Sequence, residues 1–129
     1  MTVCAVNVVG DQVGGGWGRA HTVAIVTIAA GQISDWTEYE VGWDVLHDAG
    51  PHGTHHGRIV RFLLEHHVDL IVTGHMGPPM VNTVNQLGIT AVLGAAGPAR
   101  ALVTSVTSEW ERAVAAQSEA TSPAPSANL

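Results

Sequence analysis

The run VDLIVTG, residues 68–74, constrains the fold of this chain more than any other stretch. Its apolar residues are nearly continuous instead of alternating with polar ones, so a strand made from it is covered on both faces. Such strands lie inside sheets that helices sandwich. The flanking sequence supplies the helices. Upstream, THHGRIVRFLLEHH places Ile59, Val60, Leu63 and Leu64 on one helical stripe, with Thr54 as the expected N-cap. Downstream, PPMVNTVNQLG opens on prolines and closes on glycine, as helices do, and ITAVLG (89–94) follows as a strand. Residues 98–117 read as a long final helix. At the start, TVCAVNVV (2–9) and HTVAIVTI (21–28) read as strands, and ISDWTEYEV (33–41) alternates like a half-buried strand joined through the turn AAGQ. Three successive strands followed by alternating helices and strands imply an α/β layered domain with a mixed five-stranded sheet. Strands four and five run parallel to the first, and the second is antiparallel to it. The single domain is expected over residues 1–117, with 118–129 a disordered Pro/Ala/Ser tail.

That topology gathers histidines. The stretch LHDAGPHGTHHGRIVRF, from Leu46 to Phe62, holds His47, His52, His55 and His56, out of 8 histidines in the chain. His21 opens the second strand and His75 leaves the fourth. All six fall on the carboxyl edge of the parallel strands, where open α/β sheets place ligands. Neutral imidazole suits zinc, copper, nickel or ferrous iron. The expected metal set is His52, one of His55 and His56, and His75, closed by His21. His55 and His56, adjacent on a helix, point about 100° apart, so only one of them meets a given ion. Asp44 or Asp48 could add a carboxylate, giving a two-histidine, one-carboxylate set suited to non-heme iron. His66 and His67, at the far end of the helix, are expected to interact with its terminal carbonyls. Trp17, Trp36, Trp43, Met76 and Met80 fall near the same edge, as packing or as an apolar wall for an organic substrate; Trp110 reads as core. GDQVGGGWG is no phosphate loop, because it lacks the Gly-Lys-Ser/Thr ending and leads into a strand.

Charge and cysteine content narrow the function. Eleven acidic residues face five arginines, for a net charge of -6, and the arginines form no stripe that could track phosphates, so nucleic acid is not an expected partner. No apolar run approaches the roughly 18 residues that span a bilayer, and the start lacks a basic leader, so the expectation is a cytoplasmic protein without membrane contact. The one cysteine, Cys4, is expected to be buried; it allows neither an internal disulfide nor a cluster held by several thiolates of one chain. The third strand forms the sheet edge, and its Trp36 and Tyr39 make it the expected face of a homodimer.

The stretches GGGWGRAHTVAIV and PHGTHHGRIVRFLLEHHVDLIVTGHMGPPMVNTVNQLGITAVLGAAGPARALV resemble the small domain of the dinitrogenase iron-molybdenum cofactor biosynthesis family, over roughly residues 2 to 105. The resemblance implies a ribonuclease-H-like three-layer fold and the binding of iron-sulfur or molybdenum-containing clusters or their precursors. Where the family often has His-Phe-Gly, this chain has Gly16, Trp17 and Gly18, which puts Trp17 at the aromatic, cofactor-binding position and removes a histidine. His52-Gly53 matches the family's His-Gly element. His55, His56 and His75 stand where small residues are usual, and His75 replaces the second glycine of Gly-Gly-x-Gly-Pro. The expected function is a small protein holding a transition metal ion (iron, copper, zinc or nickel) through histidines, with water or dioxygen activated at an open position. One alternative is a carrier of a metallosulfur cluster, against which the missing lysines, the net negative charge and the lost histidine count. Another is a non-metallic interaction domain with pH-sensitive histidines.

Overall fold

The computed structural model describes residues 1–46 and 52–121, with the side chains of 52–53 and 119–121 excepted. Strand β1 (Thr2–Val9) turns into the two-residue β2 (Gln12–Val13), and a 3-10 turn (Trp17–Arg19) leads to the hairpin of β3 (Thr22–Ala29) and β4 (Gln32–Glu40). Helices α1 (Trp43–Leu46) and α2 (His52–Glu65), strand β5 (Leu70–Val72), helix α3 (Pro78–Gln86), strand β6 (Thr90–Val92) and helix α4 (Ala99–Thr121) complete the chain. The sheet order is β4-β3-β1-β5-β6, with β2 beside β1. β1 pairs antiparallel with β3 and parallel with β5, which in turn pairs parallel with β6, as the order of elements implies.

The period of two along the central strands makes the three layers. Cys4, Val6 and Val8 of β1, Ala24, Val26 and Ile28 of β3, and Leu70 and Val72 of β5 form one core with Ala99 and Val103 of α4. The intervening residues Ala5, Val23, Ile25 and Ile71 form the other, against Ile59 and Leu63 of α2 and Met80 and Val84 of α3. VDLIVTG contributes to both cores, which is why it could not alternate.

The structure departs from expectation at the element ends. α2 begins at His52, so Thr54 sits in its first turn instead of capping it. β2 and α1 occupy segments expected to be loop, and α4 runs past Gln117 to Thr121, into the segment expected to be tail. β4 is the sheet edge, but its aromatic residues are committed within the chain. Trp36 lies under the Arg100 guanidinium, 4.4 Å from its ring centre, and Tyr39 meets Phe62 edge-on at 5.8 Å. Among the described residues no helix is long and apolar enough to cross a membrane.

The end of α2 explains His67. Its N–H donates to the Leu64 carbonyl at 3.2 Å, and that of Val68 donates to the Leu63 carbonyl at 3.1 Å, which closes the helix with His67, two residues past its end at Glu65, in the left-handed region, φ 54. His67 thus serves the terminal carbonyls through its backbone, and a position of this kind favours glycine. His66 likewise donates its N–H to the Phe62 carbonyl at 3.2 Å, and it packs its ring on Tyr39 and Phe62. His67→Gly relieves a left-handed β-carbon, offset by the entropy glycine loses on folding, for an expected net gain of about 0.5–1 kcal/mol. Thermal unfolding of the variant measures it, and a lowered midpoint would refute the account.

Candidate functional site

The glycine loop builds the site by backbone pairing. His75 donates its N–H to the Gly15 carbonyl at 2.7 Å, Gly74 donates to Gly14 at 3.2 Å, and Trp17 donates back to His75 at 2.9 Å. The two segments approach this closely because Gly74 has no side chain: a Cβ there would stand 2.9 Å from the Gly15 oxygen and 3.0 Å from that of Gly14. Asn7 Nδ2, from the end of β1, donates to the Gly16 carbonyl at 3.4 Å. So anchored, the loop delivers Trp17 to the interior, fully buried and edge-on to Trp43 at 5.2 Å.

Between this turn and two helices lies a pocket of about 180 Å³. Trp17 and Gly18 form one wall, His55, His56 and Ile59 of α2 the second, and Met76 to Met80, leading into α3, the third. Among the described residues no acidic side chain lines it. The two imidazoles differ in what they can do. His55 Nε2–H donates to the Gly18 carbonyl at 2.8 Å, while its Nδ1 accepts from Arg58 at 3.1 Å, so both ring nitrogens are engaged. His55 therefore positions the opposite wall. The Thr83 hydroxyl donates to the Pro79 carbonyl at 2.9 Å, so toward His56 Nε2, 3.1 Å away, its oxygen accepts. That places the proton of His56 on Nε2 and leaves Nδ1 as the lone-pair atom. The indole N–H of Trp17 is buried and has no acceptor among the described residues.

The other candidates are dispersed. His75 is exposed and acts through its backbone. His52 begins α2, and its side chain lies outside the described set, as do His47 and Asp48 altogether. His21 is on the surface, with Nδ1 3.1 Å from Asp44 and Nε2 3.1 Å from Glu40. Among the described residues no group of three His, Cys, Asp or Glu side chains is placed to hold a metal ion. Of the expected set, His55 and His56 share the pocket while His21 and His75 lie on the exposed surface, and His52 falls outside the described side chains. Trp36 faces α4, on the other side of the sheet from Trp17 and Trp43.

Two carboxylates, one at each nitrogen, make His21 an imidazolium clasp between β3, β4 and α1. Its pKa is raised by the hydrogen bond to Asp44, then by that to Glu40, and by the charge of both. A folded-state pKa above the unfolded value of about 6.5 gives stability that is complete below that pH and is lost as pH rises through the folded-state value. The stability gap between the protein and His21→Gln should therefore be widest near pH 5.5 and close toward pH 9. Urea unfolding across that range tests this, and a gap that grows with pH would have the wrong sign.

The chain is a small three-layer α/β domain, with a pocket at the carboxyl edge of its parallel strands that no carboxylate among the described residues lines. The chain belongs to the dinitrogenase iron-molybdenum cofactor family, whose sequence pattern matches residues 1–109. Three solved structures share its fold. The orange protein from Desulfovibrio gigas, solved in its apo form, is 19% identical, with a TM-score of 0.67 over 84% of this chain and 89% of that one. PH0822 is 20% identical, with a TM-score of 0.65 over 81% and 88%. The Methanocaldococcus jannaschii protein mj0327 is 14% identical, with a TM-score of 0.59 over 86% and 92%. No curated protein matches the sequence.

Proposed function

We propose that this protein is a carrier that receives a metal centre, a metallosulfur cluster or its precursor, in the pocket between Trp17, α2 and α3. The observation that carries the reading is the wall itself: two imidazoles, two methionines and a tryptophan, with no carboxylate among the described residues, in a chain of net charge -6. The described acids lie elsewhere, Asp35, Glu38 and Glu40 on the exposed β4 edge, so the overall charge that counted against an anionic cargo does not describe the pocket. The cargo fits what the wall offers. The unpartnered Trp17 N–H is a donor suited to sulfide or oxo groups, and His56 Nδ1 is a ligand atom. A single ion held by several histidines is the second reading. It needs His52, one of His55 and His56, and His75 to reach one point, and His21, the expected closing ligand, is engaged by Glu40 and Asp44.

Anaerobic reconstitution with iron and sulfide, and separately with tetrathiomolybdate, tests the proposal. The protein should gain visible absorption and acid-labile sulfide in a fixed ratio to chain, and His56→Gln should retain several-fold less, while His75→Gln and His21→Gln load like the parent. No sulfide retained under either condition would overturn the proposal.

A further inference from the structure

We infer that the pocket is also a site for a soft monovalent cation, Cu(I), bound by the thioethers of Met76 and Met80 and by His56 Nδ1. This rests on the reading that the pocket takes a metal, and it names the ion that the protein itself would coordinate. The assignment follows from eliminating donors. His55 has both ring nitrogens engaged, to Gly18 and Arg58. His56 has its proton directed to Thr83, and its Nδ1 remains. Among the described residues the other side-chain Lewis bases on the wall are two sulfurs, from Met76 and Met80, which are 3% and 7% exposed. All three donors are neutral, two are soft and one is borderline. Thioethers select Cu(I), whereas hard divalent ions want oxygen ligands that this wall lacks. A wall with no charged side chain among the described residues also favours a single positive charge, because the cost of stripping an ion of water rises steeply with its charge. Cys4, the other sulfur donor a soft ion would seek, is no competitor. It belongs to the core on the opposite face of the sheet, fully buried, with burial pushing its thiol up to about 12. The two methionines also pack in the core beside Trp17 and Ile59, and packing alone would explain them only if they could be exchanged for leucine without loss of the ion.

The test is an anaerobic titration of the tag-free full chain with Cu(I) against the chelator bathocuproine disulfonate. Circular dichroism confirms the fold of each variant, since Met→Leu conserves volume. The expected result is one Cu(I) per chain, at least tenfold weaker in Met76→Leu, Met80→Leu and His56→Gln, absent in the double methionine variant, and unchanged in Cys4→Ala. Ag(I), which is redox-inert, should reproduce the series. Copper X-ray absorption of the loaded parent should show sulfur scattering that weakens in each single methionine variant. Equal retention by the folded double variant, or loss in Cys4→Ala, overturns the assignment. A chain that takes up no Cu(I) yet loads sulfide-containing clusters overturns this inference alone, and one that takes up neither overturns the proposed function as well.

Discussion

Gly74→Ala should lower stability by about 2 kcal/mol, within the 1–3 kcal/mol typical of overpacking, and shift the thermal midpoint down by roughly 5–10 °C. The added methyl meets backbone on its near side, the Gly15 and Gly14 oxygens at 2.9 and 3.0 Å and the Gly15 Cα at 3.1 Å, and backbone cannot swing aside as a side-chain end can. Relief requires the glycine loop to move away from residues 74–75, which weakens the bonds from His75 and Trp17 that seat the loop. Stability and cargo binding should therefore fall together. Gly16→Ala is the control in the same loop. A Cβ there meets nothing within 4 Å, and the backbone is extended, φ -92 and ψ 121, so the substitution should be neutral or slightly stabilising. Equal losses in both variants would mean that the loop tolerates no change at all, and the close-approach argument would fail.

The contrast between those glycines shows what the sequence could and could not say. The layered fold was legible because burial leaves a period: VDLIVTG had to be covered twice, and the β1 and β3 residues divide between the two cores by alternation. The resemblance to the family was legible for the same reason, since its motifs sit at strand ends that the core fixes. The site was read less well. Topology placed six histidines on one edge, but an edge is a line, and which side chains meet across it depends on loop paths of a few ångströms. His21 was drawn to Asp44 and Glu40, partners contributed by the end of β4 and by a short helix that left no periodic signal. His55 was taken up by Gly18 and Arg58, a role no spacing rule announces. Met76 and Met80 did leave a signal, a spacing of four across Gly-Pro-Pro facing the same edge, but methionine reads first as packing. The contribution of Thr83, which fixes which nitrogen of His56 carries the proton, emerges only from the hydrogen bonds.

Trp17→Ala is expected to be the most damaging single change, costing about 3–5 kcal/mol, because it removes the largest fully buried ring of the α2-side core and leaves a void beside Trp43. Against a total of about 5–15 kcal/mol for a domain, that leaves a chain close to unfolding at physiological temperature. Trp17→Phe separates the two things this residue does. Phenylalanine keeps much of the ring contact and deletes an N–H that is buried without an acceptor, a group whose desolvation costs about 1–3 kcal/mol. The lost volume and the removed penalty act in opposite directions, so the variant should fall within about 1 kcal/mol of the parent in denaturant unfolding. Cargo loading should respond differently. If the N–H is held without a partner for the sake of a bound group, Trp17→Phe will be as stable as the parent and retain sulfide-containing cargo several-fold less well. Full retention in the phenylalanine variant would assign Trp17 to packing alone and leave His56 and the methionines to hold whatever enters the pocket.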